Sequence, residues 1–181
     1  DFRNYGNLRL FVHGDKNGAN GVFLPTESTS TTQSPITFFF RFGADSNNYY
    51  EIREPLFADW AESKNSVDIN FQDLTSKKFD SSVKPDSLNV RSFYVDNGKV
   101  IRIKGNPSLG GISQLYIGAI NDEEFKSYTG EVWIDELRLS NANDKTGQAA
   151  KAFLGFNLAD LASFNGSIQY QTAEWRSVDG N

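Results

Sequence analysis

The chain has no cysteine among its 181 residues. That excludes disulfides, thiol nucleophiles and thiolate zinc sites, while leaving cytosol, periplasm and cell surface all open. Histidine occurs once, as His13. At a strand end with no partner constellation around it, a structural place is expected for that ring rather than acid–base work. No apolar run approaches the length of a membrane-spanning helix. The opening Asp1-Phe2-Arg3-Asn4 lacks the charged-then-apolar layout of a signal peptide, and the chain starts without methionine, as an excised piece of something longer would. A basic excess is missing too. Lys and Arg number 18 against 23 Asp and Glu, for a net charge of −5 and a pI near 4.9. With its cations scattered, the chain is not expected to bind nucleic acid. No Gly-rich phosphate loop, no nucleophile with a matched histidine and no metalloprotease spacing occurs.

Aromatic residues, by contrast, are plentiful. Fifteen Phe and seven Tyr suit sheet packing, and 181 residues can bury a proper core in one domain, or in one domain with an appendage. The densest β-signal is Gly130–Ser140, read Gly-Glu-Val-Trp-Ile-Asp-Glu-Leu-Arg-Leu-Ser. Strand alternation puts Trp133, Asp135, Leu137 and Leu139 on one side and Val132, Ile134, Glu136 and Arg138 on the other. So apolar a stretch is expected in the middle of a sheet. Asp135, if turned inward, needs hydrogen-bond donors, an arginine or a metal. A bulge at Asp135-Glu136 is the alternative, and it would turn Asp135 outward.

In chain order, Asn7–His13 reads as a strand closed by a Gly14–Gly18 turn, and Pro25–Pro35 as a polar low-complexity loop. Ile36–Phe42 sets Phe38, Phe40 and Phe42 against Phe39 and Arg41, which argues for a central strand. Asn48–Phe57 sets Tyr50, Ile52 and Leu56 against Tyr49, Glu51 and Arg53, with Pro55 at an edge or exit. Val67–Phe71 starts another strand, and Asp73–Phe79 suits a short helix with Leu74 inward. Phe93–Val95, Asp96-Asn97-Gly98 and Lys99–Lys104 form a hairpin around a favoured tight-turn step. Ile112–Ile120 places Leu115, Ile117 and Ala119 together. About nine strands at short spacing predict an all-β fold, an antiparallel jelly-roll-like sandwich over 1–140. A polar linker, 141–148, then leads to 149–181. There Leu154, Phe156 and Leu158 alternate with Gly155, Asn157 and Ala159. Phe164, Ile168 and Tyr170 alternate with Asn165, Ser167, Gln169 and Gln171. Two such ten-residue stretches fit outer-membrane-barrel strands, or a surface hairpin of the same sandwich; the pattern alone allows both.

Three chemistries are testable against these residues. Sandwich glycosidases direct two acids into a cleft, but alternation separates Glu136 from Glu131 and Asp135, and the stretch lacks the Glu-x-Asp-x-x-Glu run of the sandwich glucanases. No enzyme is expected. Asp135 is a candidate ligand for a structural calcium, with loop oxygens from Asp15, Asn17 or Asp45; an ion pair or backbone hydrogen bonds would satisfy it equally. Trp60, Tyr49 and Tyr94 are candidates for stacking on sugar rings, which makes a carbohydrate-binding module of a cell-surface protein the alternative function.

Several stretches agree with one family. Asn48-Tyr49-Tyr50-Glu51 ending in Pro55-Leu56, Lys104-Gly105-Asn106-Pro107, Gly118 near the end of its strand and Glu131–Leu139 occur in that order, followed by Ala149-Ala150 and Leu158-Ala159-Asp160-Leu161. In these the chain resembles the SprA family (Sov in some species), giant outer-membrane translocons of the type IX secretion system of Bacteroidetes. The family-motif residues carried over are Asn48, Tyr49, Tyr50, Glu51, Asn106, Pro107, Trp133, Glu136, Leu137 and Arg138, in structural roles. Departures are Ile52-Arg53-Glu54 where Tyr-Glu-Ile is usual, Asp135 where Asn is common, and Gln148 in place of an aromatic. The resemblance implies a non-catalytic module of a very large barrel that exports folded cargo, with gliding motility downstream. It also implies that 149–172 re-enters the barrel wall. The implied partners are the rest of the barrel polypeptide, secretion-system subunits and cargo. The implied location is the outer membrane, with the module on its periplasmic or extracellular side and no cofactor beyond that calcium.

Overall fold

Alternation becomes pairing in a computed structural model of the chain, which describes residues 1–15, 24–28, 30–142, 147–158, 161–172 and 175. The described elements are β1 (Tyr5–Gly14), β2 (Ile36–Asp45), β3 (Asn48–Pro55), β4 (Ser66–Asn70), α1 (Phe71–Phe79), β5 (Val90–Tyr94), β6 (Val100–Lys104), β7 (Gln114–Asn121), β8 (Val132–Ala142), β9 (Ala149–Leu158) and β10 (Ala162–Gln171). All the strand pairs are antiparallel, and the chain divides into two units, Asp1–Ala142 and Asn143–Asn181.

In the first unit a five-stranded sheet runs β5-β6-β3-β2-β7 and a three-stranded sheet runs β4-β1-β8. Their inner faces supply one hydrophobic cluster. Phe38, Phe40, Phe42, Tyr50, Ile52 and Ile103 come from the larger sheet, and Leu8, Leu10, Val12 and Val67 from the smaller. The triple-Phe alternation therefore does what it promised, and β2 lies between β3 and β7. Pro55 is the last residue of β3, where the missing N–H breaks no ladder. The helix begins two residues before the expected start. Asn70 caps it, its Oδ1 accepting from Asp73 N at 3.0 Å, so Phe71 joins Leu74 on the buried side. The β5–β6 hairpin turns through Asn97 and Gly98, both with positive φ (63° and 75°).

For Gly130–Ser140 one expectation is corrected, and of the two readings of Asp135 the bulged one holds. The strand is β8, and it lies at the edge of the three-stranded sheet rather than in the middle. Its faces are also not continuous. Arg9 pairs with Arg138 and Phe11 with Asp135, so Leu10 opposes two residues, Glu136 and Leu137, and Glu136 has a φ of 52°. This is a bulge at Glu136-Leu137, one residue beyond the expected step, and it shifts the alternation by one. Trp133 and Asp135 share the outer face with His13 and Phe11, whereas Ile134 and Leu139 lie opposite the core residues Val12 and Leu8.

The second unit, as described, is the β9–β10 hairpin. Its register pairs Leu158 with Ala162, Phe156 with Phe164, Leu154 with Gly166, Ala152 with Ile168 and Ala150 with Tyr170. Directly paired residues share a face, so these ten make one apolar surface. The other face holds Asn157 with Ser163, Gly155 with Asn165, Phe153 with Ser167, Lys151 with Gln169 and Ala149 with Gln171. Among the described residues neither outer edge of the hairpin is paired.

Candidate functional site

The family-motif residues of β3 converge on one structural knot. Asn48 ties two turns together: its Nδ2 donates to Asp45 Oδ1 (3.1 Å), and its Oδ1 accepts from Asn106 N (3.0 Å). Gly105 between them has a φ of 63°, and a Cβ there would meet Asn47 O at 2.2 Å, so only glycine fits. The Tyr49 ring lies under the Arg41 guanidinium, 4.2 Å from its carbon. Tyr50 faces the core, and its hydroxyl donates to Pro107 O at 3.3 Å. Burial pushes that hydroxyl's pKa up to about 12.

Glu51 is fully buried on the opposite face of β3. Three guanidinium groups reach it. Arg53 donates from Nε at 2.7 Å, Arg102 from Nη1 at 2.9 Å, and Arg41 from Nε at 2.6 Å while also approaching with Nη2. Burial alone would raise the Glu51 pKa; the Arg53 and Arg41 hydrogen bonds outweigh it and hold the carboxyl below its usual range. Alternation already placed Arg41, Glu51 and Arg53 on outward-facing positions of adjacent strands, but their convergence needs the register. Arg41 and Arg102 are the direct cross-strand neighbours of Glu51.

The motif on β8 has a different character. Trp133 is 54% exposed, stacks on His13 (4.9 Å between centroids, 22° between planes) and donates from Nε1 to Glu131 Oε2 at 2.9 Å. Trp60 also meets His13, edge-on at 5.1 Å and 60°. His13 is thus a packed structural ring, its Nδ1 buried without a hydrogen bond among the described residues. Asp135 is exposed, its Oδ1 accepting from Glu136 N at 2.8 Å, while Arg138 lies 3.5 Å from Glu136 and Leu137 is exposed.

The described calcium candidates come from separate elements, Asp15 just after β1, Asp45 at the end of β2 and Asp135 in β8. Asp45 is engaged in its own turn by Asn47 N (2.7 Å), which pulls its pKa down, Asp15 N bonds to Glu131 O, and Asn17 lies outside the described residues. Among the described residues no group of three or more His, Asp or Glu is placed to hold a metal ion. The sugar candidates are equally dispersed: Tyr49 is buried beneath Arg41, Tyr94 is exposed on the outermost strand of the larger sheet, and Trp60 packs against β1.

Glu54 carried no signal in the sequence. It is buried at the end of β3 with Lys99 Nζ 2.7 Å away, and burial pushes its pKa up to about 7, only partly opposed by the lysine. A cleft of about 140 Å3 opens where β7 and β8 face each other, lined by Ile36, Leu56, Ala119, Gly130, Glu131 and Val132 among others. Both edge strands also expose apolar side chains. Leu115 and Ile117 of β7 and Ile134 and Leu137 of β8 stand 39–49% exposed.

One family model, SprA_N, described as motility related/secretion protein, matches residues 1–181. No curated protein matches the chain.

Proposed function

Because the chain belongs to this family of motility-related and secretion proteins, we propose that it is a non-catalytic structural and docking module of a SprA-like outer-membrane translocon that exports folded proteins by type IX secretion. The first unit is read as a jelly-roll-like sandwich and the hairpin as two strands of the parent barrel. The observation that carries this reading is the β9–β10 hairpin. One face is wholly apolar, the other mostly small and polar, and both strands have ten residues, the length that crosses a bilayer at a tilt. A lone two-stranded hairpin with such a face is marginal in water and needs neighbours on both edges. The knot around Glu51 supports a rigid scaffold role, since its carboxylate is saturated by arginines and has no capacity left for proton transfer.

The test is the apparent mass and membrane fraction of the native polypeptide, read with an antibody against this sequence. A single outer-membrane band far larger than the 20.2 kDa of this chain is expected. A soluble or secreted band near that size would overturn the reading.

The Trp60–His13–Trp133 patch keeps carbohydrate binding as the second reading, because both tryptophans are partly exposed and pack on the same imidazole. Tilts of 60° and 22° to the same imidazole leave the indole planes at least 38° apart, which is not a flat sugar platform. A glycan titration whose signal disappears in Trp60→Ala or Trp133→Ala would favour it over docking.

A further inference from the structure

Each of the two sheets ends in an edge strand that follows a core strand, β7 after β2 and β8 after β1. Leu115 pairs with Phe42, Ile117 with Phe40 and Ala119 with Phe38, and those three phenylalanines are core residues no more than 2% exposed. The β7 side chains therefore point into the same interlayer space. Yet Leu115 and Ile117 are 49% and 40% exposed. In the other sheet, Ile134 of β8 lies beside Val12, itself 1% exposed, and is 39% exposed. Core-facing residues of both edge strands are thus left uncovered, and one residue of each, Ala119 and Val132, lines the cleft described above; this uncovered apolar strip is the groove.

The two edges differ in whether they can accept another strand. β8 has the bulge at Glu136-Leu137 and three charged side chains, the devices that block edge pairing. β7, Gln-Leu-Tyr-Ile-Gly-Ala-Ile-Asn, has eight residues without a charge, a proline or a bulge. It ends its sheet, and among the described residues no backbone group bonds to its far side. The stretch of chain from β7 through β8 is acidic. Residues 114–142 hold six carboxylates against Lys126 and Arg138, a net −4 within a chain whose total is −5.

We infer that β7 is a strand-acceptor edge. An extended segment of another polypeptide, with apolar residues alternating with lysine or arginine, adds antiparallel or parallel to β7, fills the groove with its apolar side chains and meets the acidic rim with its basic ones. This rests on the docking reading above and names the partner's chemistry.

The test titrates the full chain, in mild detergent, with a dye-labelled ten-residue peptide alternating valine and lysine, followed by fluorescence anisotropy. Three comparators isolate the terms: alternating valine and glutamate, the lysine peptide N-methylated along one edge, and the variant Ile117→Lys. The lysine peptide is expected to bind at least tenfold more tightly than the glutamate peptide and the methylated one, and Ile117→Lys to weaken it at least tenfold. The methylated peptide leaves the protein untouched, so the result stands even where Ile117→Lys disturbs folding. No binding, equal binding of the lysine and glutamate peptides, undiminished binding of the methylated peptide, or a self-associated dimer that Ile117→Lys dissolves would each overturn the inference. Its failure is separable from that of the secretion reading. A giant outer-membrane band with no peptide binding defeats the acceptor edge alone; a small soluble band with peptide binding defeats secretion alone.

Discussion

The first unit and the hairpin use the same alphabet to opposite ends. In β2, Phe38, Phe40 and Phe42 alternate and disappear into a core; in β9, Leu154, Phe156 and Leu158 alternate and remain more than half exposed. Alternation fixes which side chains share a face, and says nothing of what covers that face. Cover comes from a second sheet in one case and is absent among the described residues in the other. The first unit buries most of its apolar alternation in its own core, whereas the hairpin's apolar surface is a debt to its surroundings.

The largest expected effect tests that contrast directly. Phe40→Ala should cost the first unit about 3–5 kcal/mol in urea unfolding, as for other large-to-small changes at buried positions. Phe156→Ala should move the same transition by less than about 0.5 kcal/mol. Equal effects would show that the two units unfold as one.

Glu51→Gln comes next, at about 2–3 kcal/mol. It removes the charge from under three guanidinium groups, and their partial exposure keeps the loss below that of a fully buried pair. Equilibrium denaturation measures it; a loss below about 0.5 kcal/mol would mean the knot is decoration.

Glu54 should behave in the opposite sense with pH. Its folded pKa, near 7, lies above the unfolded value of 4.5, so the folded state binds the extra proton between them. Its contribution is therefore most favourable at low pH and is lost as pH rises through that window, by about 1–2 kcal/mol between pH 5.5 and 7.5. Glu54→Gln should flatten the profile there. The Glu51 contribution, with its lowered pKa, is present above 4.5 and fades only as pH falls through the folded value. Melting temperatures of the two variants across pH separate these signs.

The smallest effect contrasts the Glu51 knot with the β8 bulge. Asp135→Asn and addition of a calcium chelator should each change stability by less than about 0.5 kcal/mol, because that carboxylate is exposed and occupied by its own neighbour's N–H. A drop of several degrees on chelation would restore the calcium site.

Much of the fold was legible because its signals are local. The Asn97-Gly98 turn, the phenylalanines of β2 and the short helix each depend on neighbouring residues, and each formed as expected, with Asn70 moving the helix start forward by its cap. What escaped depends on distance in sequence. β8 looked central because Val132–Leu139 is rich in β-formers, but sheet order is set by what β1 can pair with. The bulge was one of two readings of Asp135, and only the register against Arg9 and Phe11 decides between them. The Asn-Tyr-Tyr-Glu run stood out as a motif, yet its meaning lies in Arg102 and Asn106, more than fifty residues away.

The Glu51 cluster also bears on how faithfully the larger sheet assembles. Arg41 and Arg102 flank Glu51 directly across β2 and β6. A slip of one residue turns the carboxylate to the wrong face, and a slip of two sets it opposite Phe39 or Gly43, where no guanidinium waits. A misaligned pairing with β2 thus leaves Glu51 with Arg53 of its own strand but takes Arg41 from opposite it, which weakens the compensation of a buried charge. The ion cluster proofreads strand alignment, rejecting near-correct sheets that hydrophobic side chains alone would tolerate.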